Sequence, residues 1–170
     1  MLRWPSGSLY AAASQPWARL LLAAALWLPL VHAQTTPAAA DAGVVRYDAT
    51  RDAAADIARA LAAAPAAGKH VLLIVGGDWC KDCRVLDALF AADPSLAEAR
   101  DARYVQVKVF VGTENRNDAV LARYPKLDWV PTLIELDASG RALRAVPSTA
   151  FHDGDRLAPA KVRAFLHGGN

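Results

Sequence analysis

The chain has 170 residues, 54% of them hydrophobic and 21% charged; this suits one globular domain with a short tail and excludes an intrinsically disordered chain. Nineteen basic residues stand against seventeen acidic ones, and the surplus is Arg3 and Arg19, so residues 34–170 are electrically balanced. With no basic patch to neutralise phosphates or hold an anionic bilayer, nucleic-acid binding and polybasic membrane association are excluded.

In chain order, residues 1–33 read as a signal peptide. Leu20 to Val31 is an apolar run of 12 residues, shorter than the roughly 20 needed to span hydrocarbon as a helix and typical of a secretory h-region. Val31-His32-Ala33 supplies a small-x-small cleavage pattern, so the cut is expected after Ala33. The alternative, an uncleaved anchor, is disfavoured by Pro29, the short run and the small residue at the cut. No cysteine follows at Gln34, which argues against a lipid anchor. Export from a two-membrane bacterium places the mature protein in the periplasm, with no membrane insertion after cleavage.

Residues 34–43 read as a flexible linker and 44–170 as one domain. Val44–Tyr47 reads as a short first strand. Asp48 or Thr50 offers an N-cap for a helix over about 52–64, stopped by Pro65 and Gly68. His70–Val75 is a continuous apolar run, as expected of a strand covered on both faces. Gly76-Gly77 ends it, and a helix follows from about Cys80, broken at Asp93-Pro94-Ser95 and resuming to Ala102. Tyr104–Val111 is the next strand, residues 112–118 a polar loop and Ala119–Tyr124 a short helix. Pro131–Leu136 and Arg141–Val146 form a hairpin across Asp137–Gly140. After a loop over 147–159, Ala160–Leu166 closes the chain as a helix. The early β–α alternation implies parallel crossovers and the late hairpin an antiparallel edge, hence an α/β fold with a mixed central sheet flanked by helices.

Cys80 and Cys83 are the only cysteines, in Asp78-Trp79-Cys80-Lys81-Asp82-Cys83. The pair falls between a buried strand and a helix. At a helix start, outward-pointing N–H groups and the positive end of the dipole stabilise a thiolate. Cys80 is therefore expected to be the exposed nucleophile and Cys83, one turn on, the resolving thiol. A zinc half-site lacks a second ligand pair, since His70, His152 and His167 show no ligand spacing. A purely structural disulfide over so short a loop contributes little stability. Two ordinary buried thiols do not suit an oxidising compartment. Redox chemistry is the favoured reading, with no metal and no organic cofactor.

With these residues the sequence resembles the thioredoxin superfamily. HVLLIVGGDWCKDC is similar to its strand, turn and active-site segment, and CRVLDALF to the start of the helix that follows. WVPTLIELDASGRAL resembles its proline loop and closing hairpin, and KVRAFL its last helix. The likeness covers about residues 44–168, and WCKDCRVLD with VGTENRND and LARY resembles exported bacterial single-domain members most. It implies that Pro131 is cis and faces the cysteine pair, that the Val130 backbone pairs with a bound peptide as an added strand, and that Trp79 shields the pair on one side. It also implies a departure: many thioredoxins carry a buried acid six residues before the first cysteine, where this chain has Ile74. Proton exchange at Cys83 then falls to water, Asp78, Asp82 or Lys108, although Lys108 reads more simply as an outward-facing strand residue.

Between the cysteines, Lys81 and Asp82 roughly offset each other in charge, and no histidine stands there. A potential nearer the reducing members of the family is expected than one near −120 mV. His152, Asp153 and Asp155 read as solvated loop residues without chemistry. The favoured function is an exported thiol–disulfide oxidoreductase acting on client proteins, as a monomer, with electrons from a membrane protein. The alternative is a non-catalytic partner-binding module with a permanent disulfide; copper handling lacks a Met- or His-rich segment.

Overall fold

The computed structural model describes residue 43 and residues 45–169. The expected signal peptide lies outside the described residues, as does the linker apart from Gly43. Asp52 caps helix α1 (Ala53–Ala63), its carboxylate accepting from the Ala55 N–H at 3.0 Å. A 3₁₀ turn at Pro65–Ala67 and Gly68, with φ at 65°, end it, as the sequence anticipates. Strand β1 (His70–Gly76) is buried from its second residue onward. Helix α2 (Lys81–Ala92) follows, then α3 (Pro94–Arg103), which Asp93 caps with Pro94 at its first position. Strands β2 (Tyr104–Phe110), β3 (Thr132–Leu136) and β4 (Ala142–Pro147) complete the central layer, with the single-turn helix α4 (Asp118–Leu121) between β2 and β3 in the chain. A 3₁₀ turn (Ser148–Phe151) leads into a two-residue hairpin, β5 (His152–Asp153) with β6 (Arg156–Leu157), and helix α5 (Pro159–Leu166) closes the domain.

The sheet order is β2-β1-β3-β4. β1 runs parallel to β2 and antiparallel to β3, and β3 antiparallel to β4. Four sequence expectations change. The N-cap of α1 is Asp52 rather than Asp48 or Thr50, because its carboxylate is the one that reaches the Ala55 N–H. Residues 45–47 are not strand; Tyr47 is buried instead. The alternating pattern gives a parallel crossover only for β1–α2–α3–β2, because β3 enters next to β1 from the opposite end. The segment over 147–159 is not plain loop but holds the 3₁₀ turn and the β5–β6 hairpin, which seat Phe151 and Leu157 in the core.

Alternation along β1 divides the core. Val71, Leu73 and Val75 meet Ile57 and Ala60 of α1, whereas Leu72 and Ile74 meet Leu86 of α2, Leu96 of α3 and Val162, Phe165 and Leu166 of α5. Helices on both faces explain why β1 carries no polar side chain after His70.

One end of the sheet is fastened by a buried charge. Glu135 on β3, 4% exposed, accepts from Arg144 Nε at 2.6 Å and from the Tyr104 hydroxyl at 3.1 Å, and pairs with His70 Nδ1 at 2.6 Å. Arg144 also donates to the Phe165 carbonyl at 2.6 Å and the Gly169 carbonyl at 2.8 Å, tying α5 to the sheet. Burial pushes the Glu135 carboxyl up, but the bonds from His70 and Arg144 outweigh it and hold it below the usual carboxylate range. Arg144→Ala is expected to cost about 3 kcal/mol at pH 7 in urea unfolding, since it strands a buried charge. Because the folded-state value is depressed, this stabilisation is present above the unfolded pKa of about 4.3 and is lost as pH falls through the folded value. The gap between variant and parent therefore closes in acid.

Candidate active site

The Gly76-Gly77 turn carries the chain off the sheet, and Cys80 becomes the N-cap of α2, with φ at −81° and ψ at 128°. Its sulfur takes the cap's work: the Cys83 N–H donates to Cys80 Sγ at 3.4 Å, and the Cys80 thiol donates to the Val130 carbonyl at 3.5 Å. The Val130–Pro131 peptide is cis, as the resemblance implies. Pro131 then opens onto β3, where its carbonyl accepts from the Ser148 N–H at 2.8 Å. Trp79, Cys80, Lys81, Asp82, Leu127, Asp128, Trp129 and Val130 line one cleft of about 600 Å³. Trp79 and Trp129 stand exposed on it, at 59% and 53%, and Trp79 is pinned by an Nε1 bond to the Val111 carbonyl at 2.8 Å.

Cys80 is less open than the sequence reading expects. It is 8% exposed against 1% for Cys83, because Val130 folds over its sulfur. What separates the two is direction: Cys80 lines the cleft, and Cys83 faces inward. A Cβ added at Gly76 would lie 2.5 Å from Cys83 Sγ and 3.1 Å from the Tyr47 hydroxyl, so the bare backbone of Gly76 is the space the inner sulfur occupies. Burial, and then the bond with Cys80, push the Cys83 thiol up to about 12. The buried Tyr47 hydroxyl makes no hydrogen bond among the described residues; burial, and then the adjoining Cys83 and Asp87, raise its pKa, so it stays protonated beside that sulfur.

Lys108 is the main reassignment among the individual residues. It is not an outward-facing strand residue: its side chain is 5% exposed, its Nζ lies 2.5 Å from Asp87 Oδ2, and it sits 4.6 Å from the centre of the Tyr47 ring. The β1–β2 register explains why, since Lys108 pairs with Ile74 and shares its inward face. Asp87, one turn beyond Cys83 on α2, is 36% exposed and opens with Tyr47, Lys108 and Asp78 onto a polar cleft of about 790 Å³. Sequence reasoning missed Asp87, although its position four residues after Cys83 is the spacing that shares a helix face.

Of the remaining expected residues, Asp78 and Lys81 are exposed, and Asp78 contributes its carbonyl to Arg84 at 2.7 Å. Asp82 does not simply offset Lys81, because its carboxylate is taken up by His152 at 2.9 Å and Ser148 at 3.2 Å. His152 is thus not a solvated loop residue.

Fold and site together define a thioredoxin-fold domain with a CxxC at the strand–helix junction, facing a cis-proline loop. A family profile described as thioredoxin-like matches residues 52–138, and the chain belongs to that family. It is 30% identical over 159 residues to the thiol:disulfide interchange protein DsbD of Pseudomonas fluorescens, covering 88% of this chain and 26% of that protein. It is 29% identical over 106 residues to DsbD of Salmonella paratyphi A, covering 62% of this chain and 18% of that one. The chain therefore spans about a quarter or less of the length of these relatives. The crystal structure of a disulphide isomerase from Xylella fastidiosa Temecula1 superposes with a TM-score of 0.63 at 25% identity, over 72% of this chain and 94% of that one. The domain is related to proteins of thiol–disulfide exchange.

Gly76→Ala tests the packing of the inner sulfur. The added methyl is expected to destabilise the reduced protein by about 1–3 kcal/mol in urea unfolding, the usual cost of overfilling a packed site. A neutral result would mean that Cys83 does not occupy that space.

Proposed function

We propose that this protein is an exported thiol–disulfide oxidoreductase that reduces or exchanges disulfides in client proteins, with Cys80 as nucleophile and Cys83 as resolving thiol. The observation that carries the reading is the placement of the Cys80 sulfur on a helix N-terminus, against the Val130 carbonyl, at the floor of a tryptophan-lined cleft. An extended client strand would pair with the Val130 backbone, and Trp79 and Trp129 would cover its apolar side chains.

The Cys80 thiolate attacks one sulfur of the client disulfide, forming a mixed disulfide and releasing the other client sulfur as a thiolate, which takes up a proton. Cys83 then loses its proton, and its thiolate attacks Cys80 Sγ. The mixed disulfide breaks, the second client thiolate leaves and is protonated, and the Cys80–Cys83 disulfide remains. Two electrons pass to the client. Turnover as a reductase takes two electrons back from a dithiol donor, for which a membrane disulfide-relay protein is the proposed source.

Burial raises the pKa of the Cys83 thiol, so it ionises poorly unaided at neutral pH. In place of the strand acid absent at Ile74, Asp87 is proposed to accept that proton through the polar cleft, with Lys108 holding its carboxylate and the Tyr47 hydroxyl donating to the sulfur as charge develops. Access to the same cleft returns the proton to solvent.

Cys80→Ser should abolish insulin reduction, whereas Cys83→Ser should accumulate mixed disulfides with clients on non-reducing gels. A Cys83→Ser protein that captures no client, alongside a parent that reduces nothing, would leave only a binding module. Asp87→Ala should slow resolution of a preformed mixed disulfide about a hundredfold at pH 7, the lower end of the range for a lost general base. That deficit should shrink as pH rises, because hydroxide replaces the missing acceptor. A pH-independent deficit would remove Asp87 from proton transfer.

A further inference from the structure

The segment over 148–157 closes onto the dipeptide between the two cysteines. Asp82 Oδ2 lies 2.9 Å from His152 Nε2 and 3.2 Å from Ser148 Oγ. Ser148 is fully buried, and the side chains of His152 and Asp82 are 25% and 19% exposed. The histidine is itself fixed. It pairs with Leu157 across the β5–β6 hairpin, its carbonyl accepts from Lys161 Nζ, and the neighbouring Phe151 packs edge-on against Phe165 at 5.5 Å. An ionised carboxylate only accepts, so Nε2 is the donor in this pair.

Two anions compete at the start of α2. Asp82 lies in its first turn, and Cys80 is its cap. A free first-turn carboxylate is drawn to the exposed N–H groups and the positive end of the dipole, where it takes the same stabilisation that a Cys80 thiolate needs and repels that thiolate. The bonds to His152 and Ser148 hold the carboxylate toward the hairpin, and the N–H of His152 partly offsets its charge. Lys81, the other charged residue of the dipeptide, lines the cleft beside it.

We propose that His152 is a positioning residue for the exchange reaction: by anchoring Asp82 it reserves the helix N-terminus for the Cys80 thiolate and makes the couple more oxidising than the Lys81-Asp82 dipeptide alone would. The inference rests on the thiol–disulfide reading of Cys80 and Cys83. It supplies the dipeptide with a histidine from a distant hairpin, where the linear motif has none.

The test is the rate at which iodoacetamide alkylates Cys80 in the reduced protein at pH 7, followed by peptide mass, with the glutathione equilibrium constant measured alongside. His152→Ala should slow alkylation and shift the equilibrium toward the disulfide form, each about threefold to tenfold, the size of one partly screened charge near a helix N-terminus. Asp82→Asn should move both quantities the opposite way, and in that background His152→Ala should have no further effect. A loss of hairpin packing alone would lower the unfolding midpoint without moving either quantity. Unchanged rates in His152→Ala, or a deficit that persists undiminished with Asp82→Asn, overturn the proposal. Should His152→Ala fail to fold, Asp82→Asn alone decides, and no acceleration there overturns it. Alkylation needs no client, so a parent that alkylates at Cys80 yet reduces no client disulfide would defeat the functional reading while leaving this comparison intact.

Discussion

Room for a single sulfur atom behind the β1–α2 junction governs the active end of this fold. A Cβ at Gly76 would stand 2.5 Å from Cys83 Sγ, so the strand has to end on a bare backbone for the helix to start where it does. Once Cys83 is seated there, its N–H points at Cys80 Sγ, and the outer sulfur becomes the cap of α2. The Val130 carbonyl completes the arrangement from the opposite side. The two cysteines thus differ through packing. One sulfur belongs to a cleft and the other to a core, and burial pushes the inner thiol far from the range in which thiols ionise in water.

That burial creates a proton-transfer problem, and the surrounding residues suit its solution. Tyr47, Lys108 and Asp87 come from three separate segments and line one polar cleft, and the Tyr47 hydroxyl lies on the Gly76 side beside the inner sulfur. The cleft beside Cys80 is mostly apolar by contrast, with Trp79, Leu127, Trp129 and Val130 in its lining. Under the proposed function, peptide and proton would use these two clefts separately. The Glu135 cluster lies at the other end of the sheet, where it fastens α5 without entering the chemistry.

Much of this was legible in the sequence, for identifiable reasons. The buried run at 70–75, the glycine turn, the CxxC and the VPT segment are each local, and local patterns specify the strand, the helix start and the proline loop. Pairings between distant segments were not legible. Lys108 looked outward-facing because alternation in YVQVKVF does not say which face is core; only its register beside Ile74 settles that. Asp87 carries no sequence signal of its own, because a lone acid on a helix is ordinarily a solvated one. His152 has the sequence context of a loop residue because the 3₁₀ turn and β5–β6 hairpin that aim it carry no periodic signal and depend on Phe151 and Leu157 reaching the core. Val45–Tyr47 has strand composition but finds no neighbouring strand to pair with, and Tyr47 serves as a lid over Cys83.

The most direct measurement is an equilibrium titration of the protein in glutathione buffers, followed through Trp79 and Trp129, which flank the cysteine pair and are the only tryptophans beyond residue 33. A reactive pair gives one reversible two-electron transition, with a tenfold change in the equilibrium constant for every 29.6 mV or so. Cysteines that neither oxidise nor reduce across the glutathione range, while the domain remains folded, would contradict the assignment of Cys80 and Cys83 as a redox centre.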